Sequence, residues 1–285
     1  MDERKIYNAV ISFPRSGTDY LCTALTSDKR IRYFREYFNP ICNKKRDAIL
    51  RKYFGDERLL MHFNIMNEID RVDFDDVMRR SWLLDSYNTT KENFSATKYV
   101  HFAEQFNLIV LVRKLYHTFP TSRPDYIVPI LNSFMIAGPY RSLAQSRELN
   151  ELRTFIARDV AVHNEHHAGI LAHIIQHYVL LFEAERHRTP IVTYEELVQK
   201  DGADLDRTIS CLTRFGVDPT RVANALRKAR KKLRVELGAR RQRFLRECSP
   251  DWYVKPLQFV LQQSPQLSDA FQAYIFDEGE LGASN

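Results

Sequence analysis

Apolar residues fall along this chain in blocks of two periods, and the alternation between them predicts the elements. Residues 6–13 are apolar and β-branched enough for a buried strand, and Tyr20, Leu21, Ala24 and Leu25 then recur at helical spacing. Residues 31–38 alternate aromatic and charged side chains before Pro40, which suits an edge strand or a loop. Residues 44–93 carry a loose helical pattern, with Ile49, Leu50, Tyr53 and Phe54 on one face and Val77, Met78, Trp82 and Leu83 repeating it. Residues 96–102 read as a second core strand ending near His101. Residues 107–112, Asn-Leu-Ile-Val-Leu-Val, form the clearest strand, a continuous apolar run typical of a central parallel strand.

The second half is more helical. Gly138-Pro139 marks a turn, and one long helix is expected over about 149–185 with a broad apolar face. A short strand from Pro190 then enters a helix, with Thr193 as candidate cap. Two further helices are expected over 204–215 and 219–232, and the end from Asp251, with Trp252, Tyr253 and Phe259, packs back. Strands alternating with helices predict an α/β fold, a mostly parallel central sheet flanked by helices. One domain is expected over 1–285, with a helical insert at about 44–95 and a basic C-terminal segment at about 227–285.

Composition narrows the function classes. Apolar residues make up 44% of 285, enough for a core, and the net charge of +6 suggests an anionic partner without naming it. Cys22, Cys42, Cys211 and Cys248 have no metal-ligand spacing, which predicts reduced thiols. The start of the chain runs directly into the first strand, without a signal-peptide core or a long apolar span, so a cytoplasmic location is expected. His163, His166, His167, His173 and His177 lie along the long helix. Two pairs are four apart, but no H-E-x-x-H arrangement exists, so polar-face histidines and no metal are expected.

The candidate chemistry centres on Pro14-Arg15-Ser16-Gly17-Thr18-Asp19, between the first strand and the first helix. A helix start presents unpaired backbone N–H groups and positive potential, and a glycine allows close approach of a ligand. Ser16 and Thr18 add hydroxyls, and Arg15 adds a cation able to hold an anionic oxygen bidentately. The loop lacks the G-x-x-x-x-G-K-[ST] pattern of Walker A. It resembles the 5'-phosphosulfate loop of the PAPS-dependent sulfotransferases, in which an apolar strand runs into a Pro-(Lys/Arg)-Ser/Thr-Gly-Thr-Thr turn. Asp19 stands where that family has a second hydroxyl residue, and a carboxylate there repels phosphate unless it turns away.

The resemblance extends to further landmarks and implies roles for them. Arg113, ending the strongest strand, with Thr121 or Ser122 after it, resembles the family's 3'-phosphate motif. Glu36, in Arg35-Glu36-Tyr37-Phe38, resembles the Glu-aromatic-Phe segment of bacterial carbohydrate sulfotransferases, where the Glu is the proposed base. His101, in Lys98-Tyr99-Val100-His101, partly matches the Lys-Thr-His segment whose His is the base in cytosolic members. A carboxylate against an apolar wall and an imidazole are both suited to taking a hydroxyl proton, and Glu36 and His101 stand level, with surface pairing of Glu36 to Arg32 or Arg35 as the plain alternative. Tyr194-Glu195-Glu196-Leu197 resembles a late structural segment of the family. Gly238 with Arg240 and Arg241 is the candidate for its late basic 3'-phosphate segment, against a solvated cationic surface for most of that stretch.

The implied function is transfer of a sulfonate from PAPS (3'-phosphoadenosine 5'-phosphosulfate) to a hydroxyl of a carbohydrate or small molecule, releasing PAP. The alternatives are a nucleoside-triphosphate phosphotransferase, which would need a Walker lysine and a magnesium carboxylate, and a non-enzymatic binder of nucleic acid or other anions through the basic segment. Homo-oligomerisation is left open.

Overall fold

The computed structural model describes residues 7–12, 16–28, 32–35, 88–93, 106–118, 147–160, 165–199, 202–263 and 265–275. The fold is mixed α/β. Five strands, β1 (Tyr7–Ser12), β2 (Arg32–Arg35), β3 (Asn88–Asn93), β4 (Phe106–Val112) and β5 (Ile191–Thr193), form one parallel sheet in the order β2-β3-β1-β4-β5. β1 and β4 pair from Tyr7↔Phe106 to Ser12↔Leu111, so their carboxyl ends stop nearly level.

Parity along these strands divides the core. Val10, Ile109, Leu111 and Val192 point to one face and pack with Leu21, Leu25, Leu197, Leu205, Leu212, Phe215, Val222 and Leu226. Those residues belong to α1 (Thr18–Leu25), α5 (Tyr194–Gln199), α6 (Ala203–Thr213) and α7 (Pro219–Glu247), apart from Phe215 just beyond α6. Asn8 lies on the same face, donates to the Phe215 carbonyl at 3.1 Å, and accepts from Asn107 at 3.3 Å. The alternate residues Ile11, Leu108, Val110 and Val112 are also buried, and α4 (Glu165–Arg186) lies against β4. A strand covered on both faces needs apolar residues at every position, which explains the unbroken run in β4.

Connections leave β1 and β4 in opposite directions. β1 passes into α1 on the first face. β4 passes through the short α2 (Leu115–Thr118) and α3 (Arg147–Asp159) to α4, which supplies none of the first face's cluster. Adjacent parallel strands whose connections part in this way leave a crevice at their carboxyl ends, the usual ligand position in open α/β sheets.

Several expectations are corrected. The long helix over 149–185 is two helices, because α3 ends at Asp159 and Val160 is outside a helix. Asn88–Asn93, inside the span read as helical, is the strand β3. It is a polar sequence that becomes a strand by pairing with β1 and β2, which periodicity cannot show. β2 is the edge strand that the alternation at 31–38 allowed. The strand expected over 96–102 lies outside the described residues. The helix at 219–232 continues to Glu247. Asp218 caps it by accepting from the Thr220 and Arg221 amides at 2.9 and 3.2 Å, and Pro219 opens it.

The chain end packs back as expected, through α8 (Val254–Gln263) and α9 (Pro265–Tyr274). Phe259 stacks on Phe155 at 4.2 Å, Trp252 stacks on His167 at 5.4 Å, and the Ile275 carbonyl accepts the Leu115 N–H at 3.3 Å. Among the described residues Cys22, Cys211 and Cys248 form no disulfide. Among the described residues no helix is long and apolar enough to cross a membrane.

The histidines of α4 depart from the polar-face reading. His166 is exposed, but His167, His173 and His177 are buried. No three metal-type ligands are grouped to hold an ion among the described residues. His177 donates from Nδ1 to the His173 carbonyl at 2.7 Å, and burial lowers its pKa to about 4 and that of His173 well below the usual range. A histidine that stays neutral when folded but takes a proton near pH 6.5 when unfolded stabilises the fold fully above that pH and progressively less down to about pH 4. We therefore expect urea stability to fall between pH 7 and pH 5, and to fall less in His177→Asn, which keeps an N–H donor and has no proton to gain. Equal losses in both proteins would refute this assignment.

Candidate anion site at the carboxyl ends of β1 and β4

The loop after β1 has the backbone its sequence requires. Gly17 sits at φ +92° as the N-cap residue of α1, a left-handed conformation that few residues other than glycine adopt. Its carbonyl accepts the Tyr20 and Leu21 amides at 3.0 and 3.2 Å. The intrahelical ladder begins there, so the Gly17 and Thr18 amides lie outside it at the positive end of the helix dipole. Ser16 and Thr18 are buried, while Asp19 is exposed on the solvent side of the first turn. The Asp19 carboxylate thus sits on the exposed side of the turn that buries Ser16 and Thr18. Ser16 Oγ is fully buried and has no hydrogen-bond partner among the described residues, and the same holds for Ser12 Oγ at the end of β1.

A second reason for glycine at 17 comes from across the sheet. A Cβ built on Gly17 would overlap the ring of Tyr194, the first residue of α5. Tyr194 is buried and meets Tyr20 edge-on at 5.9 Å. It also neighbours Arg113, whose guanidinium lies 4.2 Å from the ring centroid. One aromatic ring therefore bridges the loop after β1 and the cation at the end of β4.

Arg113 is 5% exposed. Burial lowers its pKa to about 10, a shift that Arg240 deepens while Tyr194, Glu195 and Glu236 oppose it. Arg240, on α7, has an ion pair with Glu236 at 3.8 Å and keeps a buried Nη1 without a partner among the described residues. Two arginines thus reach the same neighbourhood from different elements. Arg241 does not join them. It is exposed and lies 5.4 Å from the Tyr116 ring centroid. Gly238 is inside α7 with open space where a side chain would be, so it makes no turn toward the site.

Much of the remaining basic stretch is structural. Arg230 is buried and donates to the Leu197 carbonyl at 2.9 Å, and Arg234 donates to the Val198 and Gln199 carbonyls at 2.8 and 3.0 Å. These are the last carbonyls of α5, which α7 thereby caps. At the other end of α5, Thr193 accepts the Glu196 amide at 3.0 Å and Glu196 accepts the Thr193 amide at 2.9 Å, a complete capping box. The helix of six residues that carries Tyr194 is thus held at both ends.

Of the candidates read from the sequence, Ser16, Gly17, Thr18, Arg113 and Arg240 gather around Tyr194 and the crevice. Asp19 and Arg241 lie at its outside. Arg15, Glu36, His101, Thr121 and Ser122 lie outside the described residues. Tyr194 and the neighbouring Glu195 also lie at this crevice, in a segment that the sequence reading treated as structural. Their signal is a Tyr-Glu pair at a helix start directly after an apolar strand. The sequence matches no protein-family model and no curated protein.

Gly17→Ala combines left-handed strain with collision against Tyr194. It is expected to destabilise the protein by about 2–4 kcal/mol in urea unfolding. Gly17→Ala/Tyr194→Ala should lose clearly less than the sum of the single variants, since removing the ring removes the collision. Additive losses would show that the ring does not constrain position 17.

Proposed function

We propose that this protein is a PAPS-dependent sulfotransferase, with a P-loop-like nucleotide site at the carboxyl ends of β1 and β4, that transfers a sulfonate to a hydroxyl of a carbohydrate or small molecule. The observation that carries the reading is the buried Arg113, with Arg240 beside it, next to a helix-start loop that holds a buried Ser16 hydroxyl without a hydrogen-bond partner among the described residues. A buried guanidinium with a second, partly exposed arginine beside it is unfavourable, and an anion with several oxygens relieves both the repulsion and the orphaned donor.

The residues present suit a nucleotide carrying phosphate at both ends of its ribose. Ser16, Gly17 and Thr18, together with Arg15 on the strength of the family resemblance, would hold the 5' end. Arg113 would hold the 3'-phosphate, with Thr121 or Ser122 assigned by the resemblance and Arg240 as added charge. When bound, PAPS supplies the activated sulfonate. The protein's own work is positioning and charge stabilisation: the Gly17 and Thr18 amides, with Arg15 by the family resemblance, would face the negative charge that grows on the leaving oxygen of the 5'-phosphate. Glu36 or His101 removes the acceptor proton, by the same resemblance. Sugar is the favoured acceptor class because of the segment around Glu36.

The test is binding. PAP is expected to raise the melting temperature by several degrees without metal, and Arg113→Ala to abolish the shift while the variant remains folded. ATP with Mg²⁺ should give a smaller shift. A larger shift with ATP and Mg²⁺ would favour the phosphotransferase. Binding of oligonucleotides with no response to PAP would favour the nucleic-acid reading. An Arg113→Ala protein that responds normally to PAP would overturn the site assignment.

A further inference from the structure

The turn that carries Arg113 is held by a carboxylate from the end of the neighbouring strand β5. Glu195 Oε1 accepts the Lys114 amide at 3.3 Å, and His117 Nδ1 lies 2.5 Å from the same oxygen. The side chains of His117 and Glu195 are 3% and 7% exposed. Burial lowers the His117 pKa despite the carboxylate, so the ring is neutral at pH 7 with its proton on Nδ1, facing Glu195. Lys114 and His117 are one and four residues beyond Arg113, so a single oxygen anchors both sides of the turn.

Tyr194 and Glu195 are consecutive at the start of α5, and they divide one task. Tyr194 supports the guanidinium of Arg113, and Glu195 supports the backbone that follows it. Packing alone does not explain a carboxylate here. Glu195 Oε2 is buried with no hydrogen-bond partner among the described residues. A buried carboxylate with unused acceptor capacity is costly, and replacing it together with His117 by apolar residues of similar size would avoid that cost.

We propose that Glu195 and His117 are positioning residues of the anion site. The pair fixes the turn over residues 113–117 so that the Arg113 side chain stays against Tyr194 and beside the loop at Ser16. This rests on the nucleotide-site reading above. It adds two residues that neither the loop pattern nor the strand-end arginine points to.

The test is PAP affinity by isothermal titration for the wild type, Glu195→Ala, Glu195→Gln, Arg113→Ala and Glu195→Ala/Arg113→Ala. Glu195→Ala is expected to weaken binding about ten- to a hundredfold, the worth of charge-assisted hydrogen bonds. Glu195→Gln keeps a carbonyl oxygen for both donors and should stay within about threefold of wild type. The double variant should bind no more weakly than Arg113→Ala, because the pair acts through that arginine. Unchanged affinity in Glu195→Ala, or losses that add in full, would overturn the proposal. If Glu195→Ala does not fold, His117→Asn and His117→Leu give the same contrast. Asn keeps an N–H near the place of Nδ1 and Leu does not, so equal affinities would count against the clamp. Failure of the nucleotide reading shows separately, as a wild type that does not bind PAP. In that case the Arg113 side-chain N–H signals in ¹⁵N NMR decide. Protection from solvent exchange that is lost in His117→Leu supports positioning, and equal exchange in both proteins refutes it.

Discussion

The ring of Tyr194 fills the space between Gly17 and Arg113, and both neighbours are constrained by it. Position 17 must lack a side chain because the ring is there. Arg113 can remain a buried cation because the ring face offers electron density where water would otherwise be. Two strand ends that are merely adjacent in the β1–β4 ladder are thus joined through one ring, which holds the loop after β1 and the cation at the end of β4 in fixed relation.

That ring is delivered by a helix too short to be stable by itself. α5 has six residues. It persists because Thr193 and Glu196 close its first turn, while Arg230 and Arg234 take up its last carbonyls. The 29-residue α7 therefore has two roles. It braces α1 and α5, with Tyr20 donating to the Leu226 carbonyl and the two arginines donating to α5, and near its far end it brings Arg240 toward Arg113. A basic run that looks like a cationic surface is thus divided by helical geometry into structural donors, a neighbour of Arg113 and solvent-facing charges.

Legibility in the sequence followed how local each feature was. The strand of β4 was readable because burial on both faces demands an unbroken apolar run, and the β1–loop–α1 unit because glycine and hydroxyls mark a helix start after a strand. The capping role of Thr193 was readable for the same reason. β3 was not readable, since Asn88-Thr89-Thr90-Lys91-Glu92-Asn93 has little apolar content and becomes a strand by pairing with neighbours distant in sequence. The buried histidines of α4 were misplaced because polar residue types suggest an exposed face, while the packing around that helix covers His167, His173 and His177 as well.

By itself the sequence determined that an α/β sheet would form, that a turn requiring glycine would follow its first strand, and that an arginine would end its strongest one. These depend on residue type and short-range periodicity, which act within a few positions of each other. Only the tertiary structure decided that Tyr194 stands between them, that Glu195 reaches Lys114 and His117, and that Arg240 rather than Arg241 approaches Arg113. Those partners lie far apart along the chain, and their meeting depends on strand order, helix phase and which side chains burial turns inward.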